Sequence, residues 1–354
     1  MKVCADSIVF SLQPVGGIST YWMQLCEALA TREDITLMAR LGRQVRNDAG
    51  AALLDGIADV ERDALPTRVA RYLPVLTPKD ALLHSSYYRV PASGARVPLV
   101  VTVYDFIYER FTSGLARAVH SAQKSMAIRC ADVVLCISHS TRSDLLERHP
   151  GIDPGRVLVT HLSYDRSIFH PITKAERKTD LLDAVVFVGA RTGYKRFDLA
   201  VAAVRPHSAT SLAIVGPPLG ASERSLLDDR LPGRWRYMGR LSNEQLRVAY
   251  GSCCALIYPS DYEGFGLPLL EAMACGAPVV TNRNSSLGEV GGQAPIYSVA
   301  QTGEAYADAL GAIFKEDARA AAVIRGLARC DDFSWSRMAD ETVAAYRLLA
   351  PDEA

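Results

Sequence analysis

An alternation constrains this chain more than any other feature. Short apolar runs rich in β-branched residues recur at Leu99–Val103, Val133–Ile137, Val157–Thr160, Val185–Val188, Leu212–Val215, Ala255–Tyr258 and Val279–Thr281. Segments with helical spacing lie between most of them, among them Arg196–Val204, Asn243–Tyr250 and Leu267–Cys275. Strand, helix and strand in succession predict βαβ units and parallel sheets. Runs that stay apolar throughout fit strands covered on both faces. Helix starts are legible too. Thr141 precedes Asp144 by three positions and Ser242 precedes Gln245 by three, the spacing of a capping box. Pro268 suits the first turn of a helix, where its missing N–H costs little.

A polar, charged stretch at His170–Asp183 interrupts the alternation, and strand-like runs resume after it. It predicts an α/β domain over 1–172 and a second over 180–335. Phe333–Leu349 reads as an amphipathic helix. The C-terminal segment, 336–354, is expected to pack back on the first domain. Two domains also suit 354 residues.

Composition removes several functions. Lys plus Arg and Asp plus Glu both number 39, and a chain without basic excess is not built as a nucleic-acid binder. The eight cysteines contain no C-x-x-C pair, which disfavours a zinc ribbon or a thioredoxin-type redox site. Scattered thiols fit a reducing compartment, so a cytoplasmic location is expected. There is no signal-peptide pattern at the N-terminus and no apolar run long enough to span a bilayer.

The chemistry concentrates in Tyr258–Gly292, YPSDYEGFGLPLLEAMACGAPVVTNRNSSLGEVGG. A strand ends at Tyr258, a loop carries Glu263-Gly264-Phe265-Gly266, and a helix opens near Leu267. Two glycines let backbone N–H groups approach a ligand closely. A helix N-terminus favours an anion such as phosphate. Glu263 and Glu271 stand eight positions apart. Carboxylates accept paired hydrogen bonds from sugar diols, so the two can hold sugar rings on either side of a diphosphate. They equally fit acids placed by a helix dipole.

The block E-G-F-G-L-P-L-L-E-A-M-A-C-G-A-P-V-V resembles the E-x7-E signature of retaining family 4 glycosyltransferases of the GT-B fold. Val186–Asp198 (VFVGARTGYKRFD) resembles the family's strand followed by Arg and Lys, and Met238–Tyr250 resembles the segment before the signature. Val15–Tyr21 (VGGISTY) is similar to the family's Gly-Gly loop. The resemblance is dense over 184–292 and sparse in the N-terminal half.

It implies an α/β GT-B architecture, two Rossmann-like domains facing across a cleft. Glu263 would bind donor-sugar hydroxyls. Gly264, Phe265, Gly266 and Leu267 would line the sugar and diphosphate, and Glu271 would hold the ribose. Arg191 and Lys195 would clamp the diphosphate, where fixed cations stabilise the charge that develops on the leaving group. The Arg-to-Lys spacing is one residue shorter than the family's, so Arg196 is an alternative second clamp.

In the N-terminal half, Gly16 and Gly17 serve either close approach to phosphate or acceptor, or a tight turn. Tyr104-Asp105 stands where the family often has His-Asp. Asp105 would orient the acceptor hydroxyl or cap the segment that follows. His84 and Ser138 lie either at the cleft edge or in core and capping positions. Arg110, Arg117 and Lys124 recur every seven residues, with Arg129 beyond them, and as one helical face they would either be a solvated surface or attract anionic lipid.

The expected activity is retaining transfer of a hexose from a nucleotide diphosphate sugar to a hydroxyl of a glycan or lipid-linked glycan. No cofactor and no metal ligands are expected. Similarity of the GGIST and GYKRFD segments to bacterial mannosyl- and rhamnosyltransferases of surface polysaccharide synthesis points first to a GDP-sugar. A GT-B nucleotide-sugar epimerase and a non-catalytic nucleotide- or glycan-binding protein are the alternatives. A dehydrogenase is disfavoured because no G-x-G-x-x-G follows the first strand.

Overall fold

The computed structural model describes residues 1–57, 59–92 and 96–349. The seven apolar runs become strands in two parallel sheets, which other segments complete. The first contains β1 (Lys2–Asp6), β2 (Thr36–Leu41), β3 (Asp59–Arg62), β4 (Ala81–Ser85), β5 (Leu99–Val103), β6 (Val133–Cys136) and β7 (Val157–Val159), in the order β3-β2-β1-β4-β5-β6-β7. The second contains β8 (Ala184–Val188), β9 (Ser211–Val215), β10 (Trp235–Gly239), β11 (Ala255–Tyr258), β12 (Val279–Thr281) and β13 (Ile296–Tyr297), in the order β10-β9-β8-β11-β12-β13. Strand order reverses between β1 and β4 in one sheet and between β8 and β11 in the other. In open α/β sheets, ligands bind at the carboxyl ends of the strands at such a reversal.

The central strands are continuous apolar segments. β4 and β5 are buried along their full length, and β8 at all but its last residue. Phe187 of β8 meets Phe197 of the next helix edge to face, ring centres 5.0 Å apart, in the core of the second unit. Edge strands read differently. β3 (DVER) is polar and partly exposed, and β10 (WRYMG) is only half-buried along its length, as edge strands usually are.

The chain divides into Met1–Leu162 with the segment from Ser334 onward, and Ser163–Phe333. The first boundary therefore falls about ten residues before the expected 172. Residues after Leu162 pack into the second unit. Phe169 lies against Tyr250 at 6.5 Å, and Arg166 donates to the Cys330 and Phe333 carbonyls. The helix Trp335–Arg347 returns to the first unit, where Asp340 pairs with Arg32 at 2.7 Å and Arg347 with Asp34 at 2.7 Å.

Two local expectations change. The Ser242–Gln245 capping box forms with both reciprocal bonds. The helix near Thr141 instead begins at His139, and Ser138 is its cap. The seven-residue basic face does not form. The chain breaks between the helices Ile107–Phe111 and Gly114–Cys130, Arg110 is paired with Asp144, and Lys124 is buried against Glu109 at 3.0 Å.

A buried ion cluster ties the carboxyl end of β1 to its surroundings. Arg89, 3% exposed, donates to Asp6 at 3.1 Å and to both carboxylate oxygens of Asp63 at 3.0 Å. Burial pushes the Asp6 carboxyl up to about 6 despite the Arg89 charge. Removing the cation leaves a buried carboxylate alone, so Arg89→Ala should cost about 3–5 kcal/mol of stability. Chemical denaturation followed by circular dichroism checks this; an unchanged midpoint would count against it.

Candidate functional site

Loops from four neighbouring strands of the second unit meet at its strand-order reversal. Arg191 and Lys195 follow β8, Gly216 follows β9, Glu263 follows β11, and Ser285-Ser286 follow β12. The expected donor-side residues, scattered along the chain, are therefore gathered at one sheet edge.

Lys195 Nζ donates to Glu263 Oε1 at 2.5 Å and to the Tyr258 hydroxyl at 3.3 Å. The two charged side chains are only 14% and 9% exposed. Arg196 turns elsewhere. It adopts a left-handed backbone (φ 49°) ahead of the helix Phe197–Val204 and pairs with Asp198 and Asp261. Of the two alternative clamps, Lys195 is the one in contact with Glu263.

Arg191 is held from two sides. Its Nε donates to Glu223 at 2.8 Å, and Nη2 donates to the Pro217 and Pro218 carbonyls at 2.8 Å each. Although burial opposes it, the bond from Arg191 and the Gly220 N–H lower the Glu223 carboxyl. The remaining nitrogen, Nη1, is buried and has no hydrogen-bond partner among the described residues. Gly216 (φ 148°) lets two backbone segments approach beside it: a Cβ there would lie 3.5 Å from Nη1 and only 2.4 Å from the Gly189 carbonyl.

The Glu263–Gly266 loop is fastened from behind. Ser285 Oγ accepts from Glu263 N at 2.8 Å, and Ser286 Oγ bonds the carbonyls of Glu263 and Phe265 at 2.9 Å each. Ser285 itself has a positive φ of 46°. Phe265 is buried, its ring edge to face with Phe333 at 5.7 Å. Gly266 (φ 103°) caps the helix Leu267–Ala274, in which Pro268 occupies the first turn as expected. Glu271 projects from this helix and has no hydrogen-bond or ion-pair partner among the described residues. Burial pushes its carboxyl up to about 7.

Sequence reasoning did not find Glu223, Ser285 and Ser286. A paired hydroxyl motif directly after a strand is the only signal the serines offered. The acid at 223 carries none, because its partner is 32 residues away.

In the first unit, Gly16 and Gly17 stand at the start of the helix Gly17–Ala30, after a short helical turn at Val9–Leu12. Gly16 is extended (φ 171°), so no left-handed turn demands glycine there. Tyr104 is buried, its hydroxyl donating to the Ser86 carbonyl at 3.3 Å. Asp105 takes the capping alternative, with Oδ1 accepting from Ile107 N at 2.9 Å. Ser138 is likewise a cap, accepting from Thr141 N at 3.0 Å. His84 is a core residue. Its ring nitrogens engage Tyr346 at 2.6 Å and Thr102 at 2.8 Å, and burial lowers its pKa to about 3. It therefore leaves the set of possible binding residues.

Ser286→Ala removes the hydroxyl that joins two loop carbonyls. It should lower the stability of the second unit by about 1–3 kcal/mol. Thermal unfolding of the purified variant measures this, and an unaltered melting temperature would show that the loop needs no such fastening.

Comparisons with known proteins bear on the family and the fold. The description "Glycosyltransferase Family 4" matches residues 15–168, and "Glycosyl transferases group 1" matches 172–325. O-antigen chain mannosyltransferase B of Escherichia coli is 41% identical over 115 residues, 32% of this chain and 30% of that protein. The chain thus covers under a third of this relative. D-inositol 3-phosphate glycosyltransferase of Acidothermus cellulolyticus is 26% identical over 385 residues, covering 94% of this chain and 85% of that one. Among solved structures, sucrose-phosphate synthase of Thermosynechococcus elongatus aligns with a TM-score of 0.74 at 19% identity, covering 99% of both chains. HepE of Anabaena, in complex with UDP and glucose, aligns at 0.73 and 15% identity, covering 98% of this chain and 99% of that one. With two Rossmann-like parallel sheets and both descriptions matched in succession, the chain belongs to the family 4 glycosyltransferases of the GT-B fold.

Proposed function

We propose that this glycosyltransferase moves a hexose from a nucleotide diphosphate sugar to a hydroxyl of a glycan or lipid-linked glycan, with retention at the anomeric carbon and without a divalent metal. The observation that carries this reading is the pairing of a cation with a carboxylate, together with a second cation that has one unsatisfied nitrogen. Lys195 and Glu263 are in contact, and Arg191 Nη1 is buried without an acceptor. A diphosphate supplies the acceptor that Arg191 lacks, and a sugar hydroxyl suits Glu263. Glu271, unpartnered one helix turn into the segment behind the loop, suits a ribose diol.

In the proposed step, the acceptor oxygen bonds to the anomeric carbon on the face from which the leaving group departs. The bond between that carbon and the phosphate oxygen breaks, its electron pair stays on the nucleoside diphosphate, and the acceptor proton passes to that phosphate oxygen. Arg191 and Lys195 stabilise the charge that develops there, which is the part a metal would otherwise play. Glu263 is assigned to the sugar hydroxyls rather than to nucleophilic attack. Asp105, besides capping Ile107, is assigned to orient the acceptor hydroxyl. A GDP-sugar is our first choice of donor. Eight unpaired thiols support a cytoplasmic location. Among the described residues, no helix is long and apolar enough to cross a membrane, and any association with an anionic membrane surface would be peripheral.

The first test is the reaction itself. Transfer should continue in EDTA, NMR should find the donor's anomeric configuration in the product, and Arg191→Ala should lower turnover by roughly 10²–10³. An inverted product, or activity lost to EDTA and restored by magnesium, contradicts the reading. Donor consumed with no acceptor present would indicate an epimerase.

The second test uses protons. Hydroxyls donating to Glu271 favour its ionised form, whereas the free protein holds it up to about 7. Binding should therefore expel a proton, and affinity should rise with pH through about 7 and level off above, by at most about tenfold per unit. Calorimetry with nucleoside diphosphate in buffers of different ionisation enthalpy measures the release. Glu271→Gln should abolish this component; an identical release in the variant contradicts the ribose assignment.

A further inference from the structure

A second recess lies wholly within the first unit. The segments that follow β1, β2 and β3 enclose about 640 Å³, inside the range of roughly 300–1,000 Å³ typical of small-molecule sites. It is lined by Arg43, Arg46, Arg68 and Arg71, with Ser11 and Thr67 between them, and by no acidic residue. In a chain of zero net charge, four guanidinium groups around one cavity are a concentrated positive field.

These arginines differ from others in the same unit. Arg40 is paired with Asp59 and Glu61, Arg89 with Asp6 and Asp63, and Arg110 with Asp144. The side chains of Arg43, Arg46 and Arg68 have no ion-pair or hydrogen-bond partner among the described residues. Arg71 is held in place by aromatic faces, its guanidinium 5.0 Å from the ring centre of Tyr72 and 4.8 Å from that of Tyr87. Stacking leaves the guanidinium edge free to donate, and Arg71 Nε is buried without a partner. Ser11, 3% exposed, contributes a second buried orphan, its Oγ. Unsatisfied buried donors and unpaired cations on one cavity call for an anionic ligand rich in acceptor oxygens.

We propose that this recess binds a phosphate or diphosphate ester, the anionic anchor of the acceptor. Calling the ligand an acceptor rests on the glycosyltransferase reading above; the existence of the anion site does not. Leu65, Val69, Leu73 and Leu76 alternate with the lining segment and are 46%, 44%, 40% and 74% exposed. Apolar side chains beside a cationic cavity suit an ester whose other end is a hydrocarbon. The shared chemistry is the phosphate ester. A lipid-linked diphosphate and a soluble phosphosugar are its two sources.

The test titrates inorganic pyrophosphate and geranyl diphosphate into the full-length protein by calorimetry, with arginine-selective phenylglyoxal labelling read by peptide mass spectrometry. Ligand should protect Arg43, Arg46 and Arg68. The triple variant Arg43→Gln, Arg46→Gln, Arg68→Gln should keep its melting temperature, because all three side chains are exposed. Its pyrophosphate affinity should fall by roughly tenfold or more. Arg62→Gln with Arg117→Gln, exposed arginines outside the recess, should leave affinity unchanged. Tighter binding of geranyl diphosphate than of pyrophosphate assigns the lipid source, and equal binding assigns the soluble one. Equal pyrophosphate affinity in the triple variant, or no protection of the three arginines, overturns the proposal. So does salt-sensitive binding to phosphatidylglycerol vesicles that depends on these arginines while pyrophosphate does not bind. Nucleoside diphosphate should still bind the triple variant, through the donor site. Its failure to bind wild type would count against the donor reading and leave the anion site standing.

Discussion

An ammonium and a carboxylate 2.5 Å apart, both largely shielded from water, organise the second unit's site. Taking two such charges out of water costs several kcal/mol each, which their attraction offsets only with good geometry and further hydrogen bonds. Lys195 has one further partner, the Tyr258 hydroxyl. A pair of this kind is weak evidence for stability. Its use lies in what can replace each partner. On the proposed reading, a diphosphate takes the place of Glu263 beside Lys195, and sugar hydroxyls take the place of Lys195 at Glu263. Until then, each group holds the other in position.

The surrounding bonds serve that pair. Ser285 and Ser286 hold the loop that carries Glu263, and Glu223 with the Pro217 and Pro218 carbonyls aims Arg191. These groups stand on loops and on the first turns of helices that follow the carboxyl ends of β8, β9, β11 and β12. Rigid parallel strands therefore set the spacing, and the loops supply the chemistry. The first unit repeats the plan with different content. Its ion cluster at β1 and the core bond between His84 and Tyr346 make a frame, and an arginine-lined recess opens at the strand ends.

What was legible in the sequence was what is local. The Glu263–Glu271 spacing lies on one loop and one helix, and the Arg-Lys pair on one turn. Central strands such as β5, β8 and β11 announce themselves as continuous apolar runs because both faces are covered. β3 is a polar edge strand and β13 is only two residues long, so neither offers such a run. Partners far along the chain left no trace. Lys124 looks like a surface charge in a seven-residue repeat, yet Glu109 and the Asp105 carbonyl bury it, because the helix breaks at Thr112-Ser113. His84 looks like a polar group at a strand end, and the C-terminal helix, 262 residues away, makes it core. Asp105 and Ser138 were open between binding and capping, and their cap bonds depend on backbone N–H groups, of Ile107 and Thr141, that only the folded chain places beside them.

The central claim is that Glu263, Glu271, Arg191 and Lys195 form one donor site. A crystal structure of the protein with an intact nucleotide diphosphate sugar tests it most directly. The account predicts sugar hydroxyls on Glu263, ribose hydroxyls on Glu271, and diphosphate oxygens on Arg191 Nη1 and Lys195 Nζ in place of the present ion pair. A nucleotide sugar bound elsewhere, or bound here with the Lys195–Glu263 contact intact and Arg191 Nη1 still unpartnered, would contradict it.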